Sequence, residues 1–170
     1  MTEKTSLTLS YLNNERDGDD ITRNQQSQYQ KDGVVVTNRY ENEVDKEDSN
    51  QFSLDFNHKF NGQGHKLSAT IQSETNDETE TSDINSFFEN GQPSDESEIN
   101  RTKETNKRNL VQIDYVYPID KTAQFEAGYR GTDNQRKVDF KVEIVDENNN
   151  TAIDYNLSNV LKFEQEVHAF

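Results

Sequence analysis

The chain has 170 residues, of which 29% are apolar, and a formal net charge of −15. That length suits one domain. The acidic balance argues against a nucleic-acid surface, which needs a basic stripe, and the absence of cysteine rules out disulfides, thiolate zinc sites and thiol catalysis. No apolar run approaches the roughly 18 residues that a membrane-crossing helix needs, which leaves membrane β-barrels open because their strand signal is much weaker.

Six segments alternate apolar and polar residues, the pattern of a strand whose side chains leave opposite faces. Thr5–Leu12 sets Leu7, Leu9 and Tyr11 against Ser6, Thr8 and Ser10. Gln51–Phe60 sets Phe52, Leu54, Phe56 and Phe60 against Ser53, Asp55, Asn57 and Lys59, and His65–Ser73 sets Leu67, Ala69 and Ile71 against Ser68, Thr70 and Gln72. Asn109–Tyr117 aims Val111, Ile113, Tyr115 and Tyr117 one way and Gln112 and Asp114 the other. Ala123–Gly131 does the same with Phe125, Ala127 and Tyr129 against Gln124, Glu126 and Arg130. Asn159–Phe170 carries Leu161, Phe163, Val167 and Ala169 on one face; here Leu157, Val160 and Leu161 also fit a helical stripe capped by Ser158, so strand and helix both stand.

The connections carry more information than the strands. NGQGH and PIDKT are short turns, with Gly62, Gly64 and Pro118 supplying the geometry. The other three, Asn13–Asn50, about Glu74–Arg108 and about Thr132–Asn156, are long and polar. Within the first, two further runs flank Lys31-Asp32-Gly33, a hairpin-turn signal that predicts an element beyond the membrane rather than two more spanning strands. Long and short connections alternate without exception. In an antiparallel meander that puts every short turn at one end and every long connection at the other, the asymmetry of outer-membrane barrels. The long polar connections are expected to be solvated, mobile loops, with room for the strands to continue past the membrane and keep the loop ends paired. A soluble extracellular β-sandwich for binding or adhesion is the alternative reading, and it offers no reason for the alternation. Phe60, Tyr117 and Phe125 beside the short turns, with Tyr11, Phe52 and Tyr129 toward the other strand ends, fit the aromatic girdles of a barrel.

Little points to chemistry. His58, His65 and His168 have no zinc spacing, no nucleophile elbow appears, and the many carboxylates follow from composition. ERDGDDIT (Glu15–Thr22) offers oxygen ligands without the spacing of a calcium-binding EF-hand loop. No enzyme activity, cofactor or metal is expected.

The segment RNLVQIDYVYPIDKTAQFEAGYRG resembles one typical of the outer-membrane β-barrel family of Bacteroidetes, in which an Asp-Tyr strand enters a short turn through Pro and leaves toward Glu-Ala-Gly-Tyr. Here these are Asp114, Tyr115, Pro118, Glu126, Ala127, Gly128 and Tyr129. LDFNHKFNGQGHKLSATI resembles the preceding hairpin, and SNVLKFEQEVHAF the following strand. The resemblance implies an all-β, antiparallel up-and-down meander with short periplasmic turns and long extracellular loops. It implies the barrel of a TonB-dependent receptor that imports a bulky nutrient, with outer-membrane lipid, a plug domain and the TonB energy-transducing complex as partners. No plug domain or TonB box is recognisable in residues 1–170. About six spanning strands are too few to close a barrel in lipid, so residues 1–170 are expected to be a segment of a larger one, of about 22 strands. Expected to face lipid are Phe52, Leu54, Phe56, Leu67, Ile71, Val111, Ile113 and Tyr115; expected to face the lumen are Asp55, Lys59, Asp114, Glu126 and Arg130.

Overall fold

The computed structural model describes residues 4–60, 64–94, 97–146 and 148–170. Nearly all of them lie in one antiparallel sheet. Its strands in chain order are β1 (Thr5–Gln30), β2 (Gly33–Lys59), β3 (Lys66–Phe88), β4 (Ser97–Pro118), β5 (Gln124–Val145), β6 (Thr151–Ile153) and β7 (Asn159–Ala169). Spatial order follows chain order from β1 to β5, and β6 and β7 share the far edge of β5. The expected up-and-down meander is therefore present, with its sixth position filled by two strands in series. Each strand contacts only its neighbours in the sheet, so among the described residues no second layer covers either face.

The long connections differ from expectation. Most of their residues are strand: β1 and β2 run 26 and 27 residues and meet at a two-residue turn, Lys31-Asp32, with Gln30 opposite Gly33. Gly33, just past the turn, has a φ of 141° that only glycine adopts freely. The reason such polar segments pair is that ladder bonds belong to the backbone, whatever the side chains, and both faces of an extended hairpin can stay wet. Side chains then bridge the strands. Asn76 donates to Glu47 at 3.0 Å, Thr105 to Asp77 at 2.6 Å, and Ser97 to Asn85 at 2.8 Å. Cross-strand pairs of this kind each contribute roughly 0.2–1 kcal/mol.

The short turns form where the sequence puts them. In PIDKT the Asp120 carboxylate accepts from the Thr122 N–H at 2.7 Å, the Thr122 hydroxyl at 2.9 Å and the Ala123 N–H at 2.9 Å. Those bonds hold the Asp120 carboxyl below its ordinary range, the Thr122 amide contributing most. Gly64 closes the other turn with φ 92°, while Gly62 lies outside the described residues.

The last segment is strand rather than helix. β7 pairs with Arg130–Phe140 of β5, toward the long-hairpin end. Among the described residues nothing pairs with that edge of Gln124–Tyr129. Between β6 and β7, five residues (Asp154–Ser158) stand opposite only two of β5, Lys141 and Val142. Ser158, read as a candidate helix cap, instead replaces a ladder bond. Its hydroxyl accepts from the Val142 N–H at 3.0 Å, while the Asp154 N–H donates to the Val142 carbonyl at 2.8 Å. Val142, 3% exposed, thus keeps both backbone groups satisfied beneath the bulge.

Candidate functional site

All five long ladders run without a bulge, so the two faces can be read straight from the registers. The first face carries the row Leu9, Leu54, Ile71, Val111 and, one row nearer the short turns, Leu7, Phe56, Ala69, Ile113, Tyr129. Leu67 and Tyr115 follow, and Phe52 begins the band at its upper edge. All eight residues expected to face lipid thus share one face and form one continuous apolar band. The band is open: Ile71 is 48% exposed, Ile113 44% and Leu9 66%.

The second face carries all five polar candidates. Asp55 lies in the row Asp55, Thr70, Gln112, Arg130; Thr70 donates to Asp55 at 2.8 Å. Asp114, opposite Gly128, accepts from Gln112 at 2.7 Å. A Cβ at Gly128 would come within 2.9 Å of the Asp114 carboxylate, so this glycine leaves room for it. Lys59 sits opposite Lys66, in the row that ends at Val116 and Glu126, and Gln124 donates to Glu126. The five share a wall and make no ion pairs with one another. The four buried residues among those described all lie on this second face too, Leu110 just inside the upper edge of the band and Ser82, Ile84 and Val142 above it.

Two histidines have a place that composition and spacing did not suggest. Beside the short turns, Phe60 stacks on His65 at 4.2 Å between ring centroids and meets His58 edge-on at 4.5 Å. His65 also faces Tyr117 at 5.1 Å, and its Nε2 lies 2.9 Å from the Tyr115 hydroxyl. The alternation of Phe56, His58 and Phe60 was the signal that could have found this cluster. Higher up, Tyr129 bends along its strand over Gly131, where an added Cβ would come within 2.5 Å of its hydroxyl oxygen, and reaches His168 at 2.9 Å. The Phe60, His58, His65, Tyr115 and Tyr117 cluster thus marks the short-turn edge of the apolar band, as in membrane barrels, while Tyr129 and His168 lie within the band.

Residues 58–170 match the outer membrane protein beta-barrel family. The chain belongs to that family. Its place is the outer membrane. No curated protein matches it. A barrel of this family turns its short connections to the periplasm and its long ones to the exterior, so the hairpins of β1–β2 and β3–β4 stand outside the cell.

On those hairpins the second face is acidic. Glu47, Glu78 and Glu104 lie in one row across β2, β3 and β4. Burial first, then the Asp45, Glu104 and Glu47 charges, push the Glu78 carboxyl above its ordinary range; burial and Glu43 do the same to Glu80. Glu104 is held below its range by the Arg136 guanidinium, which donates to it at 2.7 Å. ERDGDDIT belongs to β1 as regular strand, with Glu15, Asp17 and Asp19 on the first face and Asp20 on the second. Among the described residues no three His, Asp or Glu side chains converge as a metal site.

Proposed function

We propose that the chain forms part of the wall of a TonB-dependent outer-membrane receptor that imports a bulky nutrient. In this reading Phe52, Leu54, Phe56, Leu67, Ile71, Val111, Ile113 and Tyr115 face acyl chains, while Asp55, Lys59, Asp114, Glu126 and Arg130 line a hydrated interior. The observation that carries it is the charged second face at the depth of the apolar band. Charges there suit a wet, wide lumen. The tall hairpins outside suit capture of a large solute before entry. Outer-membrane lipid is the immediate partner; a plug domain and the energy-transducing complex of the inner membrane are the functional ones. No cofactor and no catalytic step are assigned.

Growth on bulky nutrients tests this, comparing cells that carry the gene with cells that lack it, with and without a protonophore. Uptake that needs both the gene and the proton gradient supports the receptor. Gene-dependent uptake that survives the protonophore identifies a passive pore instead.

A further inference from the structure

The chain is strongly acidic, yet one outward patch is basic. By register, Arg101, Lys103 and Lys107 of β4, Lys137 and Lys141 of β5 and Lys162 of β7 leave the sheet on the same face as Val111 and Ile113. Above Val111, the residues of β4 on this face are Asn109, Lys107, Thr105, Lys103, Arg101, Ile99 and Ser97, without one carboxylate. Two cross-strand pairs set cation against cation: Lys137 lies directly opposite Lys162, and Arg101 directly opposite Lys141. Like charges in that position destabilise a sheet. Arg101 has a partner in Glu143 at 3.1 Å, while none of the lysines in the patch makes an ion pair with a described residue. The other carboxylates on these rows are Asp139, opposite Lys103, Glu164, opposite Gln135, and, on the row of Lys137 and Lys162, Asp77 of β3, which accepts from the Thr105 hydroxyl, with Asp48 of β2 beyond it. Asp133 and Glu166 lie one row lower.

Height identifies what meets these lysines. Lys107 lies four residues beyond Val111, about 13 Å along the strand at ~3.3 Å per residue. Arg101 lies ten residues beyond it, about 33 Å along the strand. With the Ile113 row near the bilayer midplane, the hydrocarbon ends about 15 Å above it and a phospholipid headgroup about 5–8 Å further out; at a strand lean of about 35° the headgroups reach Lys107 and the row of Lys137 and Lys162, and end below Lys103, Arg101 and Lys141. The lysines point sideways from the barrel wall, away from the interior that a transported solute would cross. The occupant is therefore membrane-bound, tall and anionic.

We propose that this patch docks the phosphorylated saccharide headgroup of an outer-leaflet glycolipid. The reading rests on the outer-membrane location and is independent of transport. Bound phosphates lie between the paired cations and relieve their repulsion, which ties the upper halves of β4, β5 and β7 to the surrounding leaflet.

The test places the full barrel protein that carries these residues in phosphatidylcholine vesicles, with and without a rough lipopolysaccharide that carries phosphates on its lipid and inner core. The wild type is expected to gain several degrees in its thermal midpoint with the glycolipid, and to lose that gain in molar salt. A K103Q/K107Q/K137Q/K162Q variant should show no gain, and in phosphatidylcholine alone it should be at least as stable as wild type. The corresponding lysine-to-arginine variant and K46Q, on the outward face of β2, should keep the gain. A second readout is the glycolipid retained through purification in mild detergent, expected to fall at least tenfold in the glutamine variant. Equal gain and equal retention in wild type and glutamine variant would overturn the proposal. So would an equal gain from inorganic phosphate, which would mark a site for free anions.

Discussion

Consider an arginine placed on each side of one strand, at Ile113 and at Gln112. Ile113 lies on the first face between Ala69 and Tyr129, in the middle row of the apolar band, and is 44% exposed. On β2 the band runs from Phe52 to Phe60, nine residues, within the 9–11 that a spanning strand requires. Phe56, at its centre, shares the row of Ala69 and Ile113, so that row lies near the bilayer midplane. An arginine facing lipid there costs about 2–4 kcal/mol, or roughly thirty- to several-hundred-fold in the folding equilibrium. Gln112 lies on the opposite face, between Thr70 and Arg130. An arginine there enters water, where Asp55 in its own row offsets the like charge of Arg130 directly opposite, so the change should stay within about 1 kcal/mol. The assay is urea unfolding of both variants folded into phospholipid vesicles. Equal effects, or a larger loss at Gln112→Arg, would refute the assignment of the two faces.

Four further outcomes are expected. Gly131→Val should push Tyr129 off its strand and break its bond to His168, with a loss of about 1 kcal/mol that a Tyr129→Phe background largely abolishes. Ser158→Ala leaves the buried Val142 N–H without an acceptor and should cost about 1–3 kcal/mol; protection of that amide from hydrogen exchange reports it directly. Glu78 and Glu80 have raised folded values, so their contribution to stability is fully present below the ordinary 4.5 and lost as pH rises through the raised values. The hairpins should accordingly tighten as pH falls through the raised values toward 4.5, read by amide exchange, and Glu78→Gln should flatten that rise. Glu104 has the opposite sign. Its stability is present above 4.5 and is lost as pH falls through its lowered value, and Glu104→Gln should weaken the hold on Arg136 at pH 7.

The membrane-level part of the fold was legible in the residues. Alternation in β2 to β5 assigned every apolar and polar candidate to the face it occupies, because strict alternation and unbroken pairing carry the same period. The short turns were legible from Gly64, Pro118 and Asp120. The upper halves of the strands were not. Segments such as Glu74–Thr81 hold acids, Thr and Asn on both faces, so no hydrophobic period marks them as strand. Their pairing is inherited from the register set below. The position of β7 was hidden for another reason. Its own alternation is clear, but the three extra residues between β6 and β7 are an odd number. That count decides the face on which Leu161 and Phe163 emerge, and it is visible only once β5 is beside them. The aromatic role of His58 and His65 needed the β2–β3 turn to bring Phe60 beside them.

The two short turns do not lie on the same hydrogen-bond row. Lys66, at the first turn, pairs with Val116, yet β4 runs two residues further, to Pro118, before the second turn closes. Both turns must rest at the same periplasmic surface. A step of two residues, about 6.6 Å, across two strand spacings, about 9.6 Å, is met only if the strands lean. The angle whose tangent is that ratio is about 35°, within the tilt of membrane barrels. The lean that lets such a barrel close is already written into the staggered lengths of two neighbouring hairpins.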